Sequence, residues 1–181
     1  MKIRVWRFNL YLLAALAVIA AGGCQSSPAE KKSKKLLSTL RLHAEGSRDG
    51  TKATELVPIY RQKPVMVRVE KLHFIDEGHV ASAKVIDVMG GGFALQIQFD
   101  HRGTGLLEEC TVVNRPRRIA IFSQFGGGEL KQARWLAAPT ASRRISDGVL
   151  TFTPDATREE AEEIAAGLNH VVKKVKTWVE R

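Results

Sequence analysis

Apolar and polar side chains alternate from residue 93 to residue 99, which is the clearest strand pattern in the chain. A period of two places the large apolar side chains on one face of a strand, and Ala94 with two glutamines on the other. Residues 84–89 predict a partner strand before it. No Gly-Lys-Ser/Thr follows the intervening glycines, so they are not a phosphate loop. The pattern predicts a hairpin whose turn is formed by Gly90, Gly91 and Gly92.

Five further segments have the apolar runs or alternation typical of strands, and two have the spacing of short helices. The predicted strands are 37–46, 65–69, 119–122, 135–138 and 149–152. The predicted helices are 76–83, with Asp76 as a cap, and 103–114, with Cys110 among its inward side chains. The predicted turns between elements are Asp49-Gly50, Gly126 with Gly127 and Gly128, and Asp147-Gly148.

The last helix has the strongest local signals. Thr157 and Glu160 have the spacing of a capping box, and apolar residues recur at helical intervals as far as Val179. Acidic residues crowd its start and lysines its end, an order that complements the helix dipole. Strands interrupted by a few helices predict an α+β fold, in which helices pack on one face of a mainly antiparallel sheet.

The N-terminus predicts export. A basic start precedes an apolar run over 10–21 that is shorter than the roughly 20 residues needed to span a bilayer. The following Ala21-Gly22-Gly23-Cys24 resembles a bacterial lipoprotein lipobox, although leucine is more usual in place of alanine. Residues 1–23 are therefore predicted to be a lipoprotein signal peptide, and 24–36 a lysine-rich flexible tether.

The lipobox resemblance implies cleavage before Cys24, a diacylglycerol on its sulfur and an acylated N-terminus, which together form a stable anchor. Gln25 follows the cysteine, where an aspartate would retain a lipoprotein of Gram-negative bacteria at the inner membrane. We therefore expect a protein of the bacterial cell envelope, on the extracytoplasmic side, with the outer membrane favoured. An ordinary signal peptide that is cut nearby is the alternative.

Composition excludes several classes of protein. With 181 residues, 44% apolar and 26% charged, the chain is neither wholly disordered nor a polytopic membrane protein. Its formal charge of +9 includes two short arginine runs. An exported protein rarely meets nucleic acid, and no aromatic residues are interleaved for stacking. A basic surface that attracts acidic lipid, envelope polymer or substrate segments is the better interpretation, and plain solubility explains the charge better still. The candidate basic surface is Arg117, Arg118, Arg143 and Arg144.

The sequence contains no recognisable catalytic or metal-binding pattern. Neither cysteine belongs to a CxxC pair, and the five histidines form no HxxxH or HExxH motif. No serine lies in a G-x-S-x-G elbow, and the paired glutamates fall on predicted helices as solvated faces. We therefore expect no catalytic residue, no cofactor and no metal.

Short motifs occur in a fixed order between residues 76 and 168. They are Ser82-Ala83-Lys84-Val85, Phe99-Asp100 with Gly103, Thr111 with Asn114 and Arg117, Ile119-Ala120-Ile121, Ala138-Pro139, Phe152-Thr153, and Glu159-Glu160-Ala161. Each motif alone is a turn, cap or core pattern. Their order resembles the head of the first periplasmic domain of SecD and SecDF, a protein-export family. The resemblance places 76–181 in a head-like domain, preceded by its N-terminal strands over 37–75.

The chain also departs from this family. Pro116 stands where the family helix ends in glycine, and Ser123-Gln124-Phe125 replaces an aspartate-glycine turn. SecD carries six membrane helices that couple export to a proton gradient, and this sequence has none of them. The resemblance therefore implies only the head, a non-enzymatic domain held at a membrane.

These observations together predict a lipid-anchored interaction module that assists protein export. The expected partners are a membrane, through the lipid on Cys24, and either unfolded or exported polypeptide or Sec translocase components. An exposed sheet edge, or the two glycine loops, would provide the contact. Two alternatives stay open: a structural envelope lipoprotein that binds a folded membrane partner, and a small enzyme of unknown class.

Overall fold

The structure is a computed structural model that describes residues 37–46, 53–113, 118–127 and 132–179. Several sequence predictions lie outside this part of the chain. They are the signal peptide 1–23, Cys24 with the tether 24–36, the turn Asp49-Gly50, and the residues Asn114, Pro116, Arg117 and Gly128.

The described residues form nine strands, two α-helices and one 3-10 turn. In chain order these are β1 (Thr39–Ala44), β2 (Thr54–Ile59), β3 (Val65–Glu70), β4 (Ile75–Asp76), the 3-10 turn Glu77–His79, β5 (Val80–Asp87), β6 (Phe93–Phe99), α1 (His101–Val113), β7 (Ile119–Phe125), β8 (Gln132–Ala137), β9 (Val149–Phe152) and α2 (Arg158–Val179). A four-stranded sheet has the order β4-β1-β7-β8, a three-stranded sheet has the order β5-β6-β9, and β2-β3 form a separate ribbon. Every one of these strand pairs is antiparallel, which confirms the predicted α+β fold.

The main hydrophobic core lies between the two sheets and the helices. Both sheets contribute fully buried side chains, such as Leu42 and Ile121 from the four-stranded sheet and Ile97 from the three-stranded one. Leu107 and Leu168 bring α1 and α2 into the same core. Because all these elements share one apolar cluster, burial of that cluster holds the two sheets together.

A second, smaller core lies on the other face of the four-stranded sheet. Ala120 belongs to it, whereas its neighbours Ile119 and Ile121 belong to the main core, as alternation along β7 requires. The ribbon covers this face with Val57 and Val67. The helices thus pack on one face of the four-stranded sheet, as predicted. The ribbon covers the opposite face.

The glycine hairpin is confirmed, and the helix predicted over 76–83 is wrong. β5 and β6 pair along their whole length, and all three glycines between them have positive φ values of 90–96°. Asp76 does act as a cap, because its Oδ1 accepts from the amide of Gly78 over 3.0 Å. The turn it caps ends after His79, since the residues from Val80 onward pair with β6 instead of continuing a helix.

The two longer helices agree with their predictions. Cys110 is buried on the inner side of α1, although the helix begins two residues earlier than the expected start at 103. At the start of α2, the amide of Glu160 donates to Oγ1 of Thr157, and the amide of Thr157 donates to Oε2 of Glu160. Both bonds of the predicted capping box are therefore formed.

His43 is buried, although the alternation along β1 predicts a polar position. Its ring contacts the Trp135 ring edge-on, with 5.1 Å between centroids. Nδ1 lies 2.8 Å from the carbonyl oxygen of Glu70, and because a carbonyl only accepts, Nδ1 carries the proton. Burial is the largest cause that lowers the pKa of His43, which keeps the ring neutral beneath the ribbon.

Candidate functional site

β9 is an outer strand of the three-stranded sheet, so one of its edges has no partner strand among the described residues. The amide of Phe99 donates to the carbonyl of Gly148 over 2.9 Å, which makes this pair a hydrogen-bonded row of the β6–β9 ladder. Bonded and non-bonded rows alternate in an antiparallel pair. Leu150 therefore directs its main-chain groups towards β6, whereas Val149 and Thr151 direct theirs outward.

The outer edge of β9 consequently presents a small set of main-chain hydrogen-bonding groups. Oδ1 of Asp147 accepts from the amide of Val149 over 3.1 Å, which occupies that donor. The amide of Thr151 is the remaining outward donor, and the carbonyls of Val149 and Thr151 are outward acceptors. An added extended chain would pair with these groups as a fourth strand.

A cleft of about 390 Å³ lies beside this edge. This volume falls within the roughly 300–1,000 Å³ of ordinary ligand pockets. Half of its twelve lining residues are polar. The lining consists of Gln96, Ile119, Pro139, Thr140, Ala141, Ser142, Arg143, Ile145, Asp147, Val149, Leu150 and Thr151.

Both walls of the cleft are fixed by hydrogen bonds. On the side opposite β9, the amide of Ile119 donates to the carbonyl of Pro139 over 2.9 Å, which ties the segment 139–143 to β7. The amide of Ile145 donates to Oγ1 of Thr111 on α1. On the β9 side, the side-chain amide of Gln96 donates to Oγ1 of Thr151. The cleft is therefore held open by its own framework.

The other outer strand of the same sheet has its edge closed by α2. Oδ1 of Asn169 accepts from the amide of Ala83 over 2.9 Å, and its Nδ2 donates to the carbonyl of Ala83 over 2.8 Å. One side-chain amide thus makes both bonds that a neighbouring strand would make to Ala83. Among the described residues, the outer edge of β9 has no partner strand, whereas the outer edge of β5 is bonded to α2 at Ala83.

The cleft carries groups for binding main chain, and its lining includes no histidine or cysteine. Its single carboxylate, Asp147, already accepts from a backbone amide. Across the part of the chain that the structure describes, no group of three or more potential ligands could hold a metal ion. Nor is any helix within the described ranges long and apolar enough to span a bilayer. The cleft supplies hydrogen-bonding groups from main chain and from polar side chains.

The structure places the predicted glycine loops away from this cleft. Gly90, Gly91 and Gly92 form the exposed tip of the β5–β6 hairpin. Gly126 and Gly127 follow the end of β7. None of the five lines the cleft, so the two loops and the cleft are separate candidate contact sites.

The described members of the candidate basic surface have different surroundings. Arg118 pairs with Glu45, with 2.7 Å between Nη2 and Oε1, and this hydrogen bond is the largest cause that raises the pKa of Arg118. Arg144 pairs with Glu108 on α1. Arg143 lines the cleft with an exposed side chain. Arg143 alone among these three is positioned to act on a segment bound beside β9.

Sequence reasoning missed the cleft because its two walls are far apart in the chain. The turn before β9 was predicted from Asp147-Gly148, and Gly148 indeed has a positive φ of 67°. Nothing in the local pattern indicates that 139–143 would lie opposite β9. Asn169 follows the core residue Leu168 in the helical stripe, and an amide at that position is the only signal for the closed β5 edge.

Comparisons with known proteins identify the fold. No family model matches the chain, and no curated protein sequence matches it. A solved structure described as SecDF, a membrane component that enhances protein export, aligns with a TM-score of 0.54 and 18% identity over 81% of this chain and 70% of its own. Two other SecDF structures are a super-membrane-facing form and a translocon-associated membrane protein from Thermus thermophilus. The first aligns with a TM-score of 0.46 and 16% identity, over 90% of this chain and 33% of its own. The second aligns with a TM-score of 0.39 and 15% identity, over 91% of this chain and 34% of its own.

The first of these alignments has a TM-score above 0.5. Because the sequence identity is only 18%, it shows similarity of the fold alone. The motif order over residues 76–168 predicts the same relationship from the sequence. The resemblance to SecD and SecDF is therefore confirmed at the level of the fold: this chain has a SecDF-like α+β fold.

Proposed function

We propose that this chain is a lipid-anchored, extracytoplasmic interaction module that serves protein export by binding unfolded polypeptide as an added strand on β9. The observation that carries the proposal is the outer edge of β9, which has no partner strand among the described residues and borders a cleft that Thr151 lines. Strand addition recognises main chain with little demand on sequence, which suits a partner that handles many export clients.

The fold supports the assignment to export. The aligned SecDF structure is described as a membrane component that enhances protein export. This chain has a similar fold. The proposed role is that of an accessory that holds or hands over polypeptide beside the translocase.

The lipid anchor is supported by the sequence around Cys24. A basic start, a short apolar run and Ala21-Gly22-Gly23 before the cysteine favour lipidation in the bacterial envelope, and Gln25 favours the outer membrane. Metabolic labelling with palmitate tests this part directly. The wild-type chain incorporates label and Cys24→Ser does not; an unlabelled wild type would refute the anchor.

Binding is tested by fluorescence anisotropy with the full chain and a reduced, permanently unfolded client. Thr151→Pro removes the outward amide and places a ring on the open edge, where proline is compatible with an edge strand. Thr151→Val keeps the amide and changes only the side chain. We expect wild type and Thr151→Val to bind alike and Thr151→Pro to bind at least about tenfold more weakly, a loss of roughly 1.4 kcal/mol.

Circular dichroism of the three proteins checks that each is folded. Absence of binding by the wild type at high micromolar client would refute the polypeptide-binding role, and equal binding by Thr151→Pro would refute the β9 edge as its site. Crosslinking in cells identifies the natural partner. Capture of a Sec component or an exported protein supports the proposal, whereas capture of one unrelated folded envelope protein favours a structural lipoprotein.

A further inference from the structure

Exposed large hydrophobic side chains concentrate on the β2–β3 ribbon. Within the described residues, five of the nine exposed large hydrophobic side chains fall between positions 56 and 72. They are Leu56, Tyr60, Val65, Met66 and Leu72. A contiguous exposed apolar surface of this kind usually marks a contact with another protein or with a membrane.

The register of the ribbon explains why Leu56 and Met66 are exposed on the same side. Val57 and Val67 are paired and point into the second core, so the residues that alternate with them point away from the protein. On that outward side Pro58 lies opposite Met66, and Leu56 lies opposite Arg68. We call this surface, made of Leu56, Pro58, Tyr60, Met66 and Arg68, the outer ribbon face.

Positive charge surrounds the outer ribbon face. Lys63 in the β2–β3 connection, Arg68 on β3 and Lys71 just after it are all exposed. The acidic residues of the segment 53–73 are Glu55 and Glu70. Glu70 is buried, and Glu55 lies on the inner side of β2, in line with Val57. Within this segment, the charged side chain on the outward side of the strands is therefore basic, and Glu55 is exposed on the other side.

The outer ribbon face is also fixed in position. The amide of Arg61 donates to Oδ2 of Asp155 over 2.8 Å, which ties the end of the ribbon to the segment before α2. Tyr60, next to this tie, has a positive φ of 70°, a strained conformation for a side chain of this size. The bond from Arg61 to Asp155 fixes the main chain directly after Tyr60.

We propose that the outer ribbon face lies on a lipid surface that contains anionic headgroups. Apolar side chains next to lysine and arginine suit the boundary of a bilayer. There the apolar side chains enter the acyl region, and the basic side chains meet phosphate groups. Tyr60 is of the residue type that favours this boundary. The inference rests on the proposed anchor at Cys24, because residues 24–36 would allow at most about 45 Å between the lipid and the domain.

The test compares two methionines in the full-length chain, reconstituted into vesicles of phosphatidylethanolamine and phosphatidylglycerol. Met66→Cys places a label on the outer ribbon face, and Met89→Cys places it at the fully exposed hairpin tip. Each variant carries the fluorophore NBD, and the unsubstituted chain labelled in parallel gives the background from Cys24 and Cys110. We expect a blue shift and several-fold stronger quenching by nitroxide lipid at position 66 than at position 89.

Charge is tested with a matched pair of variants. Lys63→Gln combined with Arg68→Gln should abolish most of the quenching at position 66, whereas Lys84→Gln, on the exposed side of β5, should leave it unchanged. Vesicles of phosphatidylcholine alone should give little quenching. Equal quenching on neutral and anionic vesicles would overturn the role of charge.

The outcomes separate this inference from the proposal on which it rests. If the chain stays with the vesicles but positions 66 and 89 are equally unquenched, the lipid contact of the ribbon is refuted and the anchor stands. Quenching at position 66 that a soluble unfolded client abolishes would refute the lipid contact and assign the face to protein. If the chain does not associate with vesicles at all, both the anchor and the lipid contact fail.

Discussion

At the scale of single residues, one carboxylate at the start of α2 joins three parts of the domain. Glu160 closes the capping box with Thr157, and both of its oxygens accept from Arg134 on β8, at 2.9 and 3.1 Å. Arg61 of the ribbon lies within 3.8 Å of the same carboxylate. The Arg134 guanidinium also lies over the ring of Phe125. The capping box was predictable from its spacing, but the arginines were not, because the fold alone brings them to this helix end.

We predict that Glu160→Gln lowers the free energy of unfolding by about 1–2 kcal/mol at neutral pH, because the charge-assisted bonds to Arg134 become neutral ones. The bond from Arg134 is also the largest cause that lowers the pKa of Glu160. A carboxyl group with a lowered folded pKa stabilises the fold above its unfolded pKa and loses that contribution as the pH falls through the folded value. In urea titrations below about pH 4.5, the ordinary pKa of a glutamate, the variant should therefore lose less stability on further acidification than the wild type.

The matched control is Glu162→Gln, an exposed position two residues further along α2. It should change stability by less than about 0.5 kcal/mol, as is usual for surface substitutions. Equal effects of the two variants would mean that the contacts between Glu160 and Arg134 contribute nothing measurable.

At the scale of elements, sequence reasoning succeeded where a single periodic pattern is supported by local turns or caps. The β5–β6 hairpin and α2 have both, and the structure forms both. β2 was missed because Pro58 interrupts its pattern, and proline is tolerated there only because β2 pairs on one side, with β3. The helix predicted over 76–83 was wrong although its local signal is present. Its cap is real, but pairing with β6, a tertiary effect, outweighs local helical preference.

The bond between α2 and the edge of β5 leads to a second prediction. Asn169→Leu should destabilise the fold by about 1–3 kcal/mol, because the amide and the carbonyl of Ala83 both lose their partner in a partly buried position. Hydrogen exchange of the Ala83 amide should accelerate more than that of other β5 amides. The exposed edge should also make the protein associate at high concentration, which analytical ultracentrifugation measures.

Asn169→Asp provides the graded comparison. An aspartate keeps the acceptor for the Ala83 amide and loses the donor to the Ala83 carbonyl. Its effect on exchange at Ala83 should therefore lie between those of wild type and Asn169→Leu. If Asn169→Leu left both exchange and association unchanged, the side chain would not be what closes this edge.

At the scale of the whole molecule, the four-stranded sheet separates two cores of unequal size. The main core joins both sheets and both helices, whereas the second core consists mainly of the ribbon against Ala120. No local pattern in the sequence assigns a strand to one core or the other. The cleft beside β9 has the same origin, because it exists only where two distant segments meet, and so the candidate site was beyond sequence reasoning.

This unequal division predicts that the ribbon opens before the rest of the domain. Val67 is buried in the second core and Val65, on the same strand, is largely exposed. Val67→Ala should lower the free energy of ribbon opening by about 2 kcal/mol, since it removes most of a buried valine side chain, while Val65→Ala should have little effect. Native-state hydrogen exchange in low denaturant measures this site by site. Faster exchange in β2 and β3, with β6 and β7 unchanged, is the expected result. Equal acceleration of exchange across both cores would mean that the domain unfolds as one unit. In that case, a lipid surface bound to the outer ribbon face would stabilise the whole fold and not the ribbon alone.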